Sequence, residues 1–216
     1  MSQSVSISWS MTRVTNLKTR VSPEHLSNYD LILRCQEGVQ PNQGAFTELL
    51  RRYQTYVERI LYHLAPDWQD RCDLSQEVWL RVYRYLSRLE DPHKFKSWLA
   101  RITTNLFYDE LRKRKRRSET VSLDEPRQLE DSYVTQEIAA NAPTPEDDLA
   151  TREFYEKLQQ AIADLEPIFR TTIILREIEG MSYEEIAEIT GVSLGTVKSR
   201  IARARAKLQS QLHNFL

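Results

Sequence analysis

A pair of serine-capped helices separated by a glycine turn places the tightest limit on how this chain can fold, and it lies between Ser182 and Arg205. Ser182 can cap a helix, and Glu185, three residues on, can reach back to the cap N–H, while Ile186 and Ile189 supply a face to bury. Gly191 provides the positive φ that ends this helix, and Ser193 opens another. In the second helix Val197 and Ile201 fall four apart on an inner face. Thr196, Lys198, Ser199, Arg200, Arg203, Arg205 and Lys207 occupy the outer face and the far end. No Asp or Glu follows Ser193. The pattern is a helix-turn-helix whose second helix suits a polyanion, with guanidinium groups for phosphates and interleaved hydroxyls for base edges. A solvated helical hairpin is the plainer reading, and two caps, the glycine turn and the one-sided charge weigh against it.

Upstream, apolar spacing predicts helices and nothing else. Residues 1–27 are rich in Ser and Thr without sustained periodicity and read as disordered, with Met11 a second candidate start. Asn28 or Asp30 can cap a short helix through Leu31, Ile32, Leu33 and Cys35, which ends in the stretch from Gly38 to Gly44. Phe46, Leu49, Leu50, Tyr53, Val57, Ile60, Leu61 and Leu64 predict a long amphipathic helix closed by Pro66. A third helix, with a polar opposite face, carries Leu74, Val78, Val82, Tyr85 and Leu89 and stops before Asp91-Pro92. The fourth begins with Phe95, Trp98, Leu99, Ile102 and Leu106, Trp98 facing the core, and runs into six consecutive cations, Arg112 to Arg117. Polar and aromatic side chains before a cation block suit phosphates and unpaired bases together, although such a run alone is also a solubility or localisation signal.

Composition shifts at Ser118. From there to Ala150 nine acidic residues face Arg127 alone, with Pro126, Pro143 and Pro145 between them, so residues 118–150 read as a flexible acidic linker. Beyond it, Phe154, Leu158, Ile162 and Leu165 predict one helix, and Pro167 opens another through Phe169, Ile173, Ile174 and Ile178 to Gly180. The expected fold class is all-α: two small helical domains joined by that linker, one over residues 28–117 and one over 151–212.

Several function classes are disfavoured. The formal net charge of -1 conceals segregated segments. Cys35 and Cys72 form neither a disulfide framework nor a CxxC pair, and His25, His63, His93 and His213 are scattered, so no metal or cofactor is expected. No Ser/His/Asp order or phosphate-binding glycine loop appears among only five glycines, so no enzyme and no small-molecule substrate are expected. No apolar run approaches the roughly 20 residues that span a bilayer, and no secretory signal opens the chain. A cytoplasmic location is the expectation.

Four stretches resemble the sigma-70 family of RNA polymerase initiation factors, in its extracytoplasmic-function branch. They are Ala45-Phe46 through Tyr53, Asp73-Leu74-Ser75-Gln76-Glu77-Val78-Trp79-Leu80-Arg81, Phe95 through Asn105, and Gly191 through Arg200. The resemblance covers residues 28–117 and 151–212, the family's regions 2 and 4. It implies that Asp73, Leu74, Gln76 and Glu77 dock the beta-prime coiled coil of core RNA polymerase. It further implies that His93, Lys94, Phe95, Lys96, Asn105, Asp109, Arg112 and Lys113 read and open the minus-10 element of promoter DNA. Thr196, Lys198, Ser199, Arg200 and Arg203 would read the minus-35 element, with Arg205 and Lys207 on phosphates. The family also implies a contact with the beta flap, and an anti-sigma factor that can hold such a protein at the membrane. A stand-alone helix-turn-helix repressor or activator, binding DNA as a two-fold dimer, is the alternative.

Overall fold

The computed structural model describes residues 22–38, 40–121 and 145–213. Among them the regular elements are all helical: α1 (Asn28–Gln36), α2 (Gln43–Leu64), α3 (Arg71–Tyr85), α4 (Phe95–Val121), α5 (Pro145–Ala163), α6 (Pro167–Ile173), α7 (Tyr183–Thr190) and α8 (Leu194–Leu212). Most of the expected linker lies outside the described residues. Helix α4 runs past the expected boundary to Val121, and α5 begins at Pro145 before the expected one. Likewise residues 1–21 lie outside the described set, but the end of the expected disordered stretch is ordered, with a 3₁₀ turn at Pro23–His25. Arg52 holds it there: its guanidinium donates to Glu24 O at 3.0 Å, Leu26 O at 2.9 Å and Asn28 Oδ1 at 2.8 Å.

Caps mark the helix starts. Ser27, one residue before the expected cap, accepts from Asp30 N at 3.1 Å and starts α1. Asn42 accepts from Ala45 N at 3.1 Å for α2. Asp91 accepts from His93 N at 2.9 Å, and Pro92 sets the first turn of a 3₁₀ segment that feeds α4. Within α4, buried Thr103 and Thr104 return their hydroxyl protons to Leu99 O and Ala100 O, both at 2.9 Å. Pro167 occupies the first turn of α6, as the sequence predicts.

Burial is where the structure goes beyond the sequence pattern. Leu49, Val57, Ile60, Leu64, Val78, Val82, Leu99 and Phe107 pack α1 to α4 together, while Phe169, Ile174, Leu175, Ile186, Val197 and Ile201 pack α5 to α8. Both sets belong to one continuous buried cluster, so the two halves share a core. After α6 the backbone widens into a π-helical turn over Ile174–Ile178, with Glu179 N donating to Ile174 O at 3.0 Å. Gly180, at φ 69°, closes it. That turn aims Glu179 at α2.

Candidate nucleic-acid and docking surfaces

Three exposed surfaces carry the residues singled out by the sequence. On α3, Asp73 and Gln76 are exposed and Glu77 is half-buried, its carboxylate taking Arg81 Nε at 3.2 Å. Leu74 instead points into the core at 7% exposure. The apolar part of this surface is Leu80, 50% exposed. It follows Asp73, Gln76 and Glu77 at the spacing that puts all four on one stripe. The sequence pattern gives this face as polar groups beside Leu74, and the i, i+3, i+4, i+7 spacing is the signal that adds Leu80.

The second surface is built by the loop from Leu86 to Lys94 and the start of α4. Gln36 of α1 pins the loop, its Nε2 donating to Leu86 O at 2.9 Å and Leu89 O at 2.7 Å. His93 stacks near Tyr29 with ring centroids 4.8 Å apart. Beside them lies a cleft of about 410 Å³, on whose walls the carboxylates of Glu90, Asp91 and Glu188 alternate with Arg88, Lys94, Ser97, Trp98 and Arg101. Four of those five were outside the sequence-based set, because only the bend at Asp91-Pro92 brings the loop over α4. Trp98, read as core, is half-buried and serves both the core and the cleft. Phe95 is 1% exposed and packs on Tyr53, centroids 5.0 Å apart, so its ring supports the loop from inside. Lys96 leans over the Tyr56 ring at 5.2 Å.

Further along α4, Asn105 is exposed, while the other expected strand contacts are tied to carboxylates or to neighbours. Asp109 receives Arg81 at 3.3 Å and Arg112 at 3.4 Å, and Lys113 pairs with Glu110 at 3.3 Å. Arg114 pairs with Asp70 and stacks 3.9 Å above Trp68, which fastens the basic end of α4 to the turn before α3. Arg112 and Lys113 are exposed, so a phosphate can displace their carboxylate partners at little cost, whereas Arg81, Asp109 and Arg114 are half-buried and more firmly held.

The third surface is the helix-turn-helix of α7 and α8. Ser182 N donates to Glu185 Oε2 at 2.9 Å and Ser182 Oγ accepts from Glu185 N at 3.1 Å, a complete capping box. Gly191 adopts φ 67°, and its N–H bonds Ala187 O at 2.9 Å. Ser193 Oγ caps α8 by accepting from Thr196 N at 3.2 Å. Val197, Ile201 and Ala204 are buried, which turns Lys198, Ser199 and Arg203 to solvent and leaves Thr196 and Arg200 half-buried. Arg205 and Lys207 bond to Glu177 and Glu166 of their own half, at 2.6 Å and 2.7 Å. Among the described residues, the outer-face cations of α8 that meet no carboxylate, Lys198 and Arg203, therefore lie in its first half and its middle.

Among the described residues no group of three His, Cys, Asp or Glu side chains is placed to hold a metal ion, and no helix is long and apolar enough to cross a membrane. Buried Cys35 has its thiol pushed up to about 12 by desolvation, which makes it inert at neutral pH.

A family model described as Sigma-70 region 2 matches residues 49–117, and one described as Sigma-70, region 4 matches residues 155–208. The chain is 39% identical over 176 residues to the ECF RNA polymerase sigma factor SigE of Mycolicibacterium smegmatis, spanning 81% of this chain and 64% of that one. It is 32% identical over 183 residues to the ECF RNA polymerase sigma factor SigW of Bacillus subtilis, spanning 84% and 96%. Among solved structures it is similar to the sigma factor RpoE in complex with the anti-sigma factor NepR from Bartonella quintana. That match has a TM-score of 0.62 and 26% identity, covering 78% of this chain and 96% of the other. With two helical regions in the family's order and the Bacillus subtilis relative matched over 96% of its length, the chain belongs to the extracytoplasmic-function branch of the RNA polymerase sigma-70 family.

Proposed function

We propose that this protein binds core RNA polymerase and directs it to promoters by using the three surfaces in concert. The observation that carries this reading is the pairing, on one chain, of a capped helix-turn-helix with an exposed basic helix and a cleft at the start of α4 that carries Arg88, Lys94, Arg101 and Trp98. Residues 28–117 form the docking and minus-10 unit, residues 151–212 the minus-35 unit, and residues 118–150 the acidic tether. The stripe of Asp73, Gln76, Glu77 and Leu80 docks a helical element of the polymerase, Leu80 burying apolar area while the polar groups set register.

Lys198, Ser199 and Arg203, flanked by Thr196 and Arg200, enter the major groove of the upstream element. Strand opening draws on stacking of an unpaired base against Trp98 and on phosphate contacts from Arg88, Lys94 and Arg101. No group is required to do covalent chemistry, in keeping with a family of initiation factors. An anti-sigma factor of the kind found with the Bartonella quintana relative is a further proposed partner. The test is run-off transcription with core polymerase on genomic promoter fragments. The protein is expected to produce initiation at discrete sites, and Asp73→Arg to abolish it together with polymerase capture in a pull-down. Equal capture by the variant would remove the docking assignment, and absence of site-specific initiation by the unaltered protein would remove the function.

A further inference from the structure

We propose that Tyr29 of α1 and His93 of the loop before α4 form a second stacking site for an unpaired base, beside the one offered by Trp98. The two rings meet with centroids 4.8 Å apart and planes 31° apart, a tilted stack that joins α1 to the loop. Tyr29 is 40% exposed, and His93 is exposed as well. A base can therefore continue the stack from outside without parting the rings. Leu33, one turn on from Tyr29 and also exposed, extends the apolar surface along α1.

Both rings are held from below, which two surface rings in chance contact would not be. At the Tyr29 end, Asn28 Oδ1 accepts from Arg52 Nη1 at 2.8 Å, and Asn28 Nδ2 donates to the Tyr53 hydroxyl at 3.0 Å. The Tyr53 ring in turn packs on Phe95, the buried residue that supports the loop from inside. At the His93 end, the backbone N–H donates to Asp91 Oδ1 at 2.9 Å. Gln36, in the last turn of α1, ties the same helix to the loop through Leu86 O and Leu89 O. Helix α1 and the loop are thus joined at both ends, and rings fixed in advance lower the ordering cost of stacking a base.

The surroundings suit a nucleic acid. Single-strand sites combine aromatic platforms with cations that follow the backbone. Exposed Lys94 borders both stacking sites, since it follows His93 in the chain and lines the cleft with Trp98. The carboxylates next to the pair in sequence are already engaged: Asp30 accepts from the Ser27 hydroxyl at 2.6 Å, and Asp91 caps the 3₁₀ segment.

This inference rests on the loop and cleft being the strand-reading surface, and the experiment separates the two. The full chain is bound to core polymerase and to a duplex with an unpaired bubble of mixed sequence, in which 5-iodouracil replaces thymine. Irradiation joins such a base to an aromatic ring stacked on it, and mass spectrometry locates the adduct. Adducts are expected on Tyr29 or His93 as well as on Trp98. Tyr29→Leu is expected to shorten the lifetime of the complex under heparin challenge by about tenfold, and Tyr29→Phe to preserve it, because the ring and not the hydroxyl carries the stack. Helical content and polymerase capture are expected to be unchanged in both variants. Adducts on Trp98 alone, or equal lifetimes for Tyr29→Leu and Tyr29→Phe, overturn the second site and leave the cleft assignment standing. Adducts on none of the three rings overturn the cleft assignment and this inference with it.

Discussion

Glu48 is 5% exposed and ionised, a combination that needs a partner for each oxygen. Arg51 supplies Nε to Oε2 and Nη2 to Oε1, both at 2.8 Å, and Arg52 adds Nε to Oε1 at 2.6 Å. Hydrogen bonds from Arg51 and then Arg52 hold its carboxyl at about 2, well below the usual carboxylate range. A carboxyl whose folded pKa is depressed adds stability above its unfolded value of about 4.3, and that stability is lost as pH falls toward the folded value. Urea denaturation is expected to show stability falling between about pH 5 and pH 2. In Glu48→Gln the loss over that window is expected to be smaller, and an identical pH profile would count against the assignment. The consequence is structural, since Arg52 also ties the chain before α1 to α2. Glu48 was legible as helical but not as buried, because the sequence spacing that places it beside Arg51 and Arg52 is also that of any solvated face.

At the scale of elements, α7 and α8 were the most legible part of the chain. Capping boxes and glycine C-caps involve residues three or four apart, so sequence contains both partners. The same locality lets a prediction be made on α8. Arg203 is exposed and unburdened by a carboxylate of its own half, whereas Arg205 is paired with Glu177. Arg203→Ala is expected to lower duplex affinity and flatten the dependence of log affinity on log salt by about one counterion. Arg205→Ala is expected to change the slope less, because its charge is already partly balanced. Equal slopes for the two variants, read by anisotropy on a duplex across a salt series, would contradict that ranking. The exposed stripe on α3 that is proposed for docking was half legible. Asp73, Gln76 and Glu77 stood out by motif, yet Leu80 was passed over and Leu74 was included, since the motif does not say which side of the helix the core takes.

Over the whole molecule, one buried cluster runs through both halves. A shared core couples their unfolding, so calorimetry on the full chain is expected to give one transition with equal calorimetric and van't Hoff enthalpies. Two resolved transitions would mean that the halves unfold independently. This coupling was absent from the sequence reading, which expected two domains on a tether. By itself the sequence determined the helices, their order, the helix-turn-helix and the family, because periodicity, caps and motifs act over a turn or two of chain. The tertiary structure alone decided which carboxylate meets which cation. Arg59 and Glu179 are 120 residues apart, and Lys94 meets Glu188 only because the halves are closed. Nothing local in the chain specifies either pair: each follows from the π-helical turn that aims Glu179 at α2 and from the packing of α7 on α4, and those depend on burying apolar surface between the halves.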